Sequence, residues 1–315
     1  MRHAPARSPS PAARPAPPGA PRPPARAAAA SAASVPAGSV SAAAAAALAL
    51  AAAWAALAAP AARADDRIAQ PREVAASFTR VRVAGPFDVT VREGSPAAVV
   101  VLAAAADQER VRVEVRGDAL LLGTSERWGG GGSASRVAVS VTLPELRGLE
   151  VAGSGDVRAE TGPAPRDLSL GVGGSGSVAW KGAAAALAVG VSGSGSVRAE
   201  GPSRSLDAGV SGSGDFRYEG KTGPARVAIS GSGDVTLAGE GATLEVSTSG
   251  SGDVDAGGFT VRDARAAIAG SGNASLRLAG GALSARIAGS GEVTWTGEAA
   301  SVDAQSSGSG RVTRR

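Results

Sequence analysis

Four aspartates, Asp156, Asp215, Asp234 and Asp253, each directly follow a Gly-Ser-Gly triplet, and Asn273 and Glu292 take the same place in later copies. Asp215, Asp234 and Asp253 belong to consecutive copies. If the copies stack, these three form a column of like charges about one strand spacing, ~4.8 Å, apart. A bound Ca²⁺, which takes carboxylate oxygens, would relieve their repulsion. The four aspartates are therefore the candidate metal ligands, and Ca²⁺ the one candidate cofactor. The competing reading has each Asp accepting hydrogen bonds from its own corner backbone while staying solvated. Arg158 and Arg217 then supply nearby positive charge.

Other chemistry has little to work with. The chain has no Cys, and its single His is His3. Without them, catalysis would need paired carboxylates or a metal. The Ser of each triplet has no base beside it in sequence, so nucleophilic chemistry there is not expected. No catalytic residue is assigned, and a non-enzymatic protein is expected. Trp180, Tyr218 and Trp295 recur at one repeat position. They could stack sugars on an outer face, but they share parity with Leu237 and Leu276, which favours a place in the core.

The elements that would position these residues follow from the repeat. The triplet starts at Gly153, Gly174, Gly193, Gly212, Gly231, Gly250, Gly270, Gly289 and Gly308, at intervals of 19 residues except for one of 21 and one of 20. A period this regular means one structural unit repeated as a solenoid. Counted from the first Gly, the apolar residues are all even: Leu187, Val189 and Val191 precede Gly193, and Val197 follows it. Strict alternation is the signature of a strand with one buried face. The two glycines are even as well, so the strand bends there, where two inward positions have no room for a side chain. A second turn, such as Gly201-Pro202 or Gly223-Pro224, closes each unit. The predicted fold is all-β: a parallel β-helix or β-solenoid of ~19-residue rungs, with the nine glycines as structural corners.

Residues 78–151 follow the same grammar less regularly and are expected to form an irregular first β module, continuous with the repeat solenoid of 152–315. Strands are predicted at 79–83, 87–91, 98–102, 110–115, 120–123 and 136–143, with a degenerate corner at Gly85 and a loop at 128–132. The charges of Arg311, Arg314 and Arg315 are expected to blunt the last edge strand.

Residues 1–41 are rich in Pro, Ala and Arg and are expected to be disordered. Residues 42–59 carry no charge and lead to Ala62-Arg63-Ala64, a small-x-small site. This is the pattern of a secretory signal peptide spanning 42–64 and cleaved after Ala64. A linker is expected over 65–77. The leader holds six arginines and no acid, so the remainder has 26 basic and 28 acidic residues although the whole chain is at +4. Nucleic-acid binding thereby loses its electrostatic argument. No integral membrane domain is expected in the mature chain.

Three strings carry a family resemblance. Val81-Arg82-Val83 runs through Gly85-Pro86-Phe87-Asp88-Val89 to Val91 and a Gly94 turn. Val113, Val115, Gly117, Leu120 and Leu122 follow, and then Val139, Val141, Leu143-Pro144, Leu146 and Leu149. With the closing series of Gly-Ser-Gly-Asp-Val units, residues 75–313 resemble the bacterial family known as putative auto-transporter adhesin, head GIN domain. The resemblance implies an all-β helical fold on an exported cell-envelope protein, in the periplasm, on the outer membrane or outside the cell. The leading expectation is a non-enzymatic module for adhesin-like binding or surface display, with a protein or glycan as its ligand. A carbohydrate-binding or polysaccharide-active β-helix is the first alternative. A structural envelope protein that self-associates as a homo-oligomer is the second.

Overall fold

The computed structural model describes residues 67–74, 77–125 and 137–315. The readings of 1–41, 42–64, the Ala64 cleavage site and the 128–132 loop lie outside those residues. In chain order the strands are β1 (Arg67–Arg72), β2 (Arg80–Ala84), β3 (Phe87–Glu93), β4 (Ala98–Ala104), β5 (Val111–Arg116), β6 (Ala119–Thr124), β7 (Val137–Leu143) and β8 (Gly148–Val151). The repeats continue with β9 (Asp156–Glu160), β10 (Arg166–Val172), β11 (Ser177–Lys181), β12 (Ala184–Gly193), β13 (Ser196–Glu200), β14 (Ser203–Gly212), β15 (Asp215–Lys221) and β16 (Pro224–Gly231). The last are β17 (Val235–Gly250), β18 (Val254–Gly270), β19 (Ala274–Gly289), β20 (Glu292–Gly308) and β21 (Arg311–Arg314). One helical turn, α1 (Ala105–Gln108), follows β4.

Every repeat supplies one strand to each of two walls. The front wall holds the half-rung before each Gly-Ser-Gly: β5, β6, β2, β8, β10, β12, β14, β16 and the second halves of β17–β20. The back wall holds the half-rung after it: β1, β4, β7, β3, β9, β11, β13, β15, the first halves of β17–β20 and β21. Within the repeats all pairing is parallel, and equivalent residues stack, as Val191 on Val210 and Val197 on Phe216. This is the solenoid that the 19-residue period predicts.

Stacking turns each even position into a buried ladder between the walls. Leu168, Leu187, Leu206, Leu244 and Leu283 are at most 4% exposed, and Val172, Val191, Val210, Ile229, Ile268 and Ile287 at most 3%. A single rung exposes both sides of its apolar residues, whereas a stacked rung buries each side chain for roughly 1.5–3 kcal/mol. The apolar column has one buried polar member: Thr248, 2% exposed, sits between Ile229 and Ile268, and its Oγ1 has no hydrogen-bond partner.

The first corner is set by close backbone approach. The Ser N–H of each triplet donates to the first-Gly carbonyl of the rung before, from Ser175 to Ser309, at 2.9–3.2 Å. A Cβ on Gly212 would lie 2.6 Å from the Gly193 carbonyl oxygen, and one on Gly214 would lie 2.6 Å from Val191 Cγ1. From Gly193 onward the first glycine also has φ of +118° to +137°, which side-chain-bearing residues rarely adopt. The degenerate corner at Gly85 fits the same scheme, since a Cβ on Gly153 would lie 2.8 Å from the Gly85 nitrogen.

At the N-terminal end the grammar changes. The six strands expected there are present as β2 to β7, but β1–β4, β4–β7 and β5–β6 pair antiparallel. Residues 65–77, expected as a linker, carry a strand instead, β1. Gln108 holds it there: its Nε2 donates to the Ile68 and Val101 carbonyls, and Arg72 donates to Gln108. Glu93 ties the module to the repeats, accepting from the backbone of Leu146 and Gly162 and from Arg166.

Candidate binding surfaces

The odd positions point outward, and the two walls use them differently. On the front wall the positions three and one before the triplet hold Gly171 and Gly173, Gly190 and Ser192, Gly209 and Ser211, Ala228 and Ser230, then Ser247 and Ser249. At these two positions five successive rungs present nothing larger than Ser, over roughly 19 Å of the stack, while Asp207, Arg226 and Glu245 flank the strip two positions further from the triplet. The strip forms a shallow groove of about 590 Å³, with Val172, Val191, Val210 and Ile229 among the residues beneath it.

The back wall is charged. Its outward triplets read Asp156-Arg158-Glu160, Ser196-Arg198-Glu200 and Asp215-Arg217-Glu219. Arg198 Nε lies 2.6 Å from Glu200 and its Nη2 3.6 Å from Glu219. The Arg198 guanidinium holds the Glu200 carboxyl below its ordinary range. These groups are exposed, so each pair is worth little in stability.

The aspartate column lies where the back wall leaves the first corner. Asp215, Asp234 and Asp253 stack on consecutive rungs, while Ser177 and Ser196 separate Asp156 from them. Asp88 joins the column beside Asp156, three residues after the degenerate corner at Gly85 as Asp156 is after Gly153. The side chains of Asp156, Asp234, Asp253 and Asn273 reach toward the next rung. Asp234 Oδ1 accepts the Asp253 N–H at 3.1 Å, and Asp253 Oδ1 accepts the Asn273 N–H at 2.7 Å and its Nδ2 at 3.0 Å. Asn273 Oδ1 accepts the Glu292 N–H at 3.1 Å, and Asp156 Oδ1 accepts Ser177 Oγ at 2.5 Å. The column therefore supplies acceptors where the strand ladder lapses. Among the described residues no group of three or more potential ligands converges as a metal cage would.

The second corner buries a polar cluster. Tyr218 is fully buried, and its hydroxyl donates to the Gly201 carbonyl at 3.0 Å and lies 3.2 Å from Ser203 Oγ, which donates to Thr222 Oγ1 at 2.8 Å. Burial pushes the Tyr218 hydroxyl above its ordinary pKa. Trp180 Nε1 donates to Thr161 at the same corner. Trp180 and Trp295 are 2% and 7% exposed, so all three aromatics lie in the core. Asp263 accepts the Ala282 N–H at 2.9 Å; that bond, and then Arg262, holds its carboxyl below the usual range. Among the described residues no helix is long and apolar enough to cross a membrane.

Comparison with solved structures shows the same fold. The chain is similar to a putative lipid binding protein from Parabacteroides distasonis: 18% identity, 80% of this chain and 98% of that one covered, TM-score 0.59. It is similar to a putative adhesin from Parabacteroides merdae (19% identity, 80% and 97% covered, TM-score 0.59). A putative adhesin from Parabacteroides distasonis matches at 21% identity, 79% and 97% coverage and TM-score 0.57. No curated protein matches the sequence. The model of one protein family, putative auto-transporter adhesin, head GIN domain, matches residues 77–222 and 203–299, and the chain belongs to that family.

Proposed function

We propose that this protein is an exported, non-enzymatic adhesin-like module of the bacterial cell envelope that binds its ligand across the front wall. The observation that carries this reading is the five-rung strip from Gly171 to Ser249, where the sheet can be approached without displacing long side chains. A flat ligand gains contact there over many rungs, each contributing little. Family membership and the solved neighbours described as adhesins support the same reading. A glycan array and a panel of envelope proteins test it. Retained binding by Arg217→Glu on the back wall, with loss in Ser211→Arg/Ser230→Arg, is the expected result. The opposite pattern would move the site to the back wall. Shortening of a bound polysaccharide would favour the polysaccharide-active alternative.

A second proposal concerns the acidic column. The consecutive stacking of Asp215, Asp234 and Asp253 favours a weak Ca²⁺ site shared between rungs, with Asp156 apart from it. Thermal unfolding with Ca²⁺ and then with chelator decides the matter. A metal that binds the native state raises the midpoint with its concentration, and an unchanged midpoint leaves the aspartates as hydrogen-bond acceptors alone.

A further inference from the structure

Among the described residues the stack has four edge strands, and three of them carry features that discourage further pairing. At the N-terminal end the front wall stops at β5, whose outward residues are Arg112, Glu114 and Arg116, and the back wall stops at β1, with Arg67, Pro71 and Arg72. At the other end the back wall stops at β21, which carries Arg311 and Arg314 and leads into Arg315. Charges and proline on an edge are how sheet proteins avoid growing by accretion.

The fourth edge lacks them. Residues 299–308 of β20 pair with β19 and, among the described residues, with no strand on the other side. The stretch Ala299-Ala300-Ser301-Val302-Asp303-Ala304-Gln305-Ser306-Ser307-Gly308 has one charge and no proline. Its inward residues Val302, Ala304 and Ser306 are exposed, Val302 at 46%, where Leu283, Ala285 and Ile287 one rung below are at most 3% exposed. Gly308 keeps φ at +121°, so the corner is still shaped to receive another rung. The charge blunting expected at this end from the terminal arginines thus reaches the back wall only.

We propose that a second copy of this chain covers this edge, tail to tail about a two-fold axis, with the 299–308 edge of each copy pairing against β21 of the other. Charge selects this arrangement. The front-wall edge carries Asp303, with Glu298 just before it, and β21 with its flank carries Arg311, Arg314 and Arg315. The other two-fold arrangement sets β21 against itself and opposes arginine to arginine. Asp303 already lies 3.7 Å from Arg286, but both groups are exposed and that contact leaves the carboxylate accessible. Head-to-tail growth would instead bring the 299–308 edge against β5, where Glu114 stands between Arg112 and Arg116, and β21 against β1, again opposing arginines, with Pro71 lacking a donor. A two-fold contact closes, so the product is a dimer and not a fibre. The end of a two-walled stack is small beside standard interfaces, so the dimer is expected to be weak, with a dissociation constant of about micromolar or higher.

Sedimentation velocity on the purified protein from about 1 to about 300 µM tests this. The expected result is a mass rising from one chain to two. Asp303→Arg/Gln305→Lys, both at exposed positions, should raise the dissociation constant about tenfold or more, and adding Arg311→Glu to Asp303→Arg should recover much of the loss. Amide exchange at 299–308 should slow as the concentration rises, a readout that needs no variant. A monomer at every concentration would overturn the proposal. So would a dimer indifferent to both charge changes, or assembly that continues past two chains.

Discussion

The two corners of a rung do the same job under different constraints. At the Gly-Ser-Gly corner successive backbones touch, and the two even positions must be glycine because the carbonyl below occupies the space of a Cβ. At the second corner backbones touch only along part of the stack, from Gly182 through Gly201 and Gly220 to Gly239, and side chains fill the rest of the bend, with Tyr218, Ser203 and Thr222 in one rung pair and Phe259 edge-on to Tyr218 at 6.5 Å in a later one. The spacing reflects this. In the 20-residue repeat, pairing shifts between Thr236 and Ala238, toward the second corner, while Gly250 still stacks on Gly270. In the 21-residue repeat, Glu160 still aligns with Lys181 and the register changes between Arg166 and Leu168. Extra residues are absorbed around the second corner and not at the Gly-Ser-Gly triplet.

The largest effect should come from breaking the first corner. Gly214→Val puts its side chain into Val191 and the carbonyl of Gly195, and should cost about 3 kcal/mol or more in chemical denaturation. Gly190→Ala, on the open face of the front wall with nothing within 4 Å of the new Cβ, is the control and should be within about 0.5 kcal/mol of wild type. Equal losses in the two variants would show that glycine serves the chain generally and not this corner. At the second corner, Tyr218→Phe keeps the ring but takes away the donor to the Gly201 carbonyl and leaves Ser203 Oγ with Thr222 alone, and should cost about 1–3 kcal/mol. Thr248→Val, two residues before a first-corner glycine, removes a buried hydroxyl without a partner and should stabilise by about 1 kcal/mol in the same assay. A loss of stability would mean that Thr248 has a partner in solution.

The smallest effect is electrostatic. Asp263 is held below its ordinary pKa by the Ala282 N–H and then by Arg262. A carboxyl depressed in the folded state adds stability above its unfolded pKa and loses it as pH falls through the folded value. The advantage of wild type over Asp263→Asn should therefore be full above about pH 5 and shrink as the pH is taken below about 4. An advantage that grows toward acid would reverse the sign and exclude this account.

Most of the scaffold is legible in the sequence because the repeat writes the same rule many times. The parity of Leu187, Val189 and Val191 around Gly193 gives the strand, the inward face and the corner together. β1 is not legible, because Arg-Ile-Ala-Gln-Pro-Arg neither alternates nor avoids proline, and what holds it is the distant Gln108. The antiparallel order of the first module leaves no periodic mark either. The Tyr218 cluster is hidden because Ser203 and Thr222 are ordinary polar residues until the fold brings their side chains together. The aspartates are visible as a column, but Asp234 and Asp253 accept from backbone N–H groups, which every residue but proline carries.

The parallel repeats load the molecule in series. Each rung in the stack is held by the rungs above and below it, and β1 and β21 lie at opposite ends of the back wall. A pull applied through those ends meets one rung interface at a time, as a zipper does. A released rung of 19 residues can extend by up to about 60 Å. Under tension the solenoid is therefore expected to lengthen in discrete steps of that size while the remaining rungs keep their outer faces intact, so a load can be absorbed in the stack without breaking a contact made on its wall.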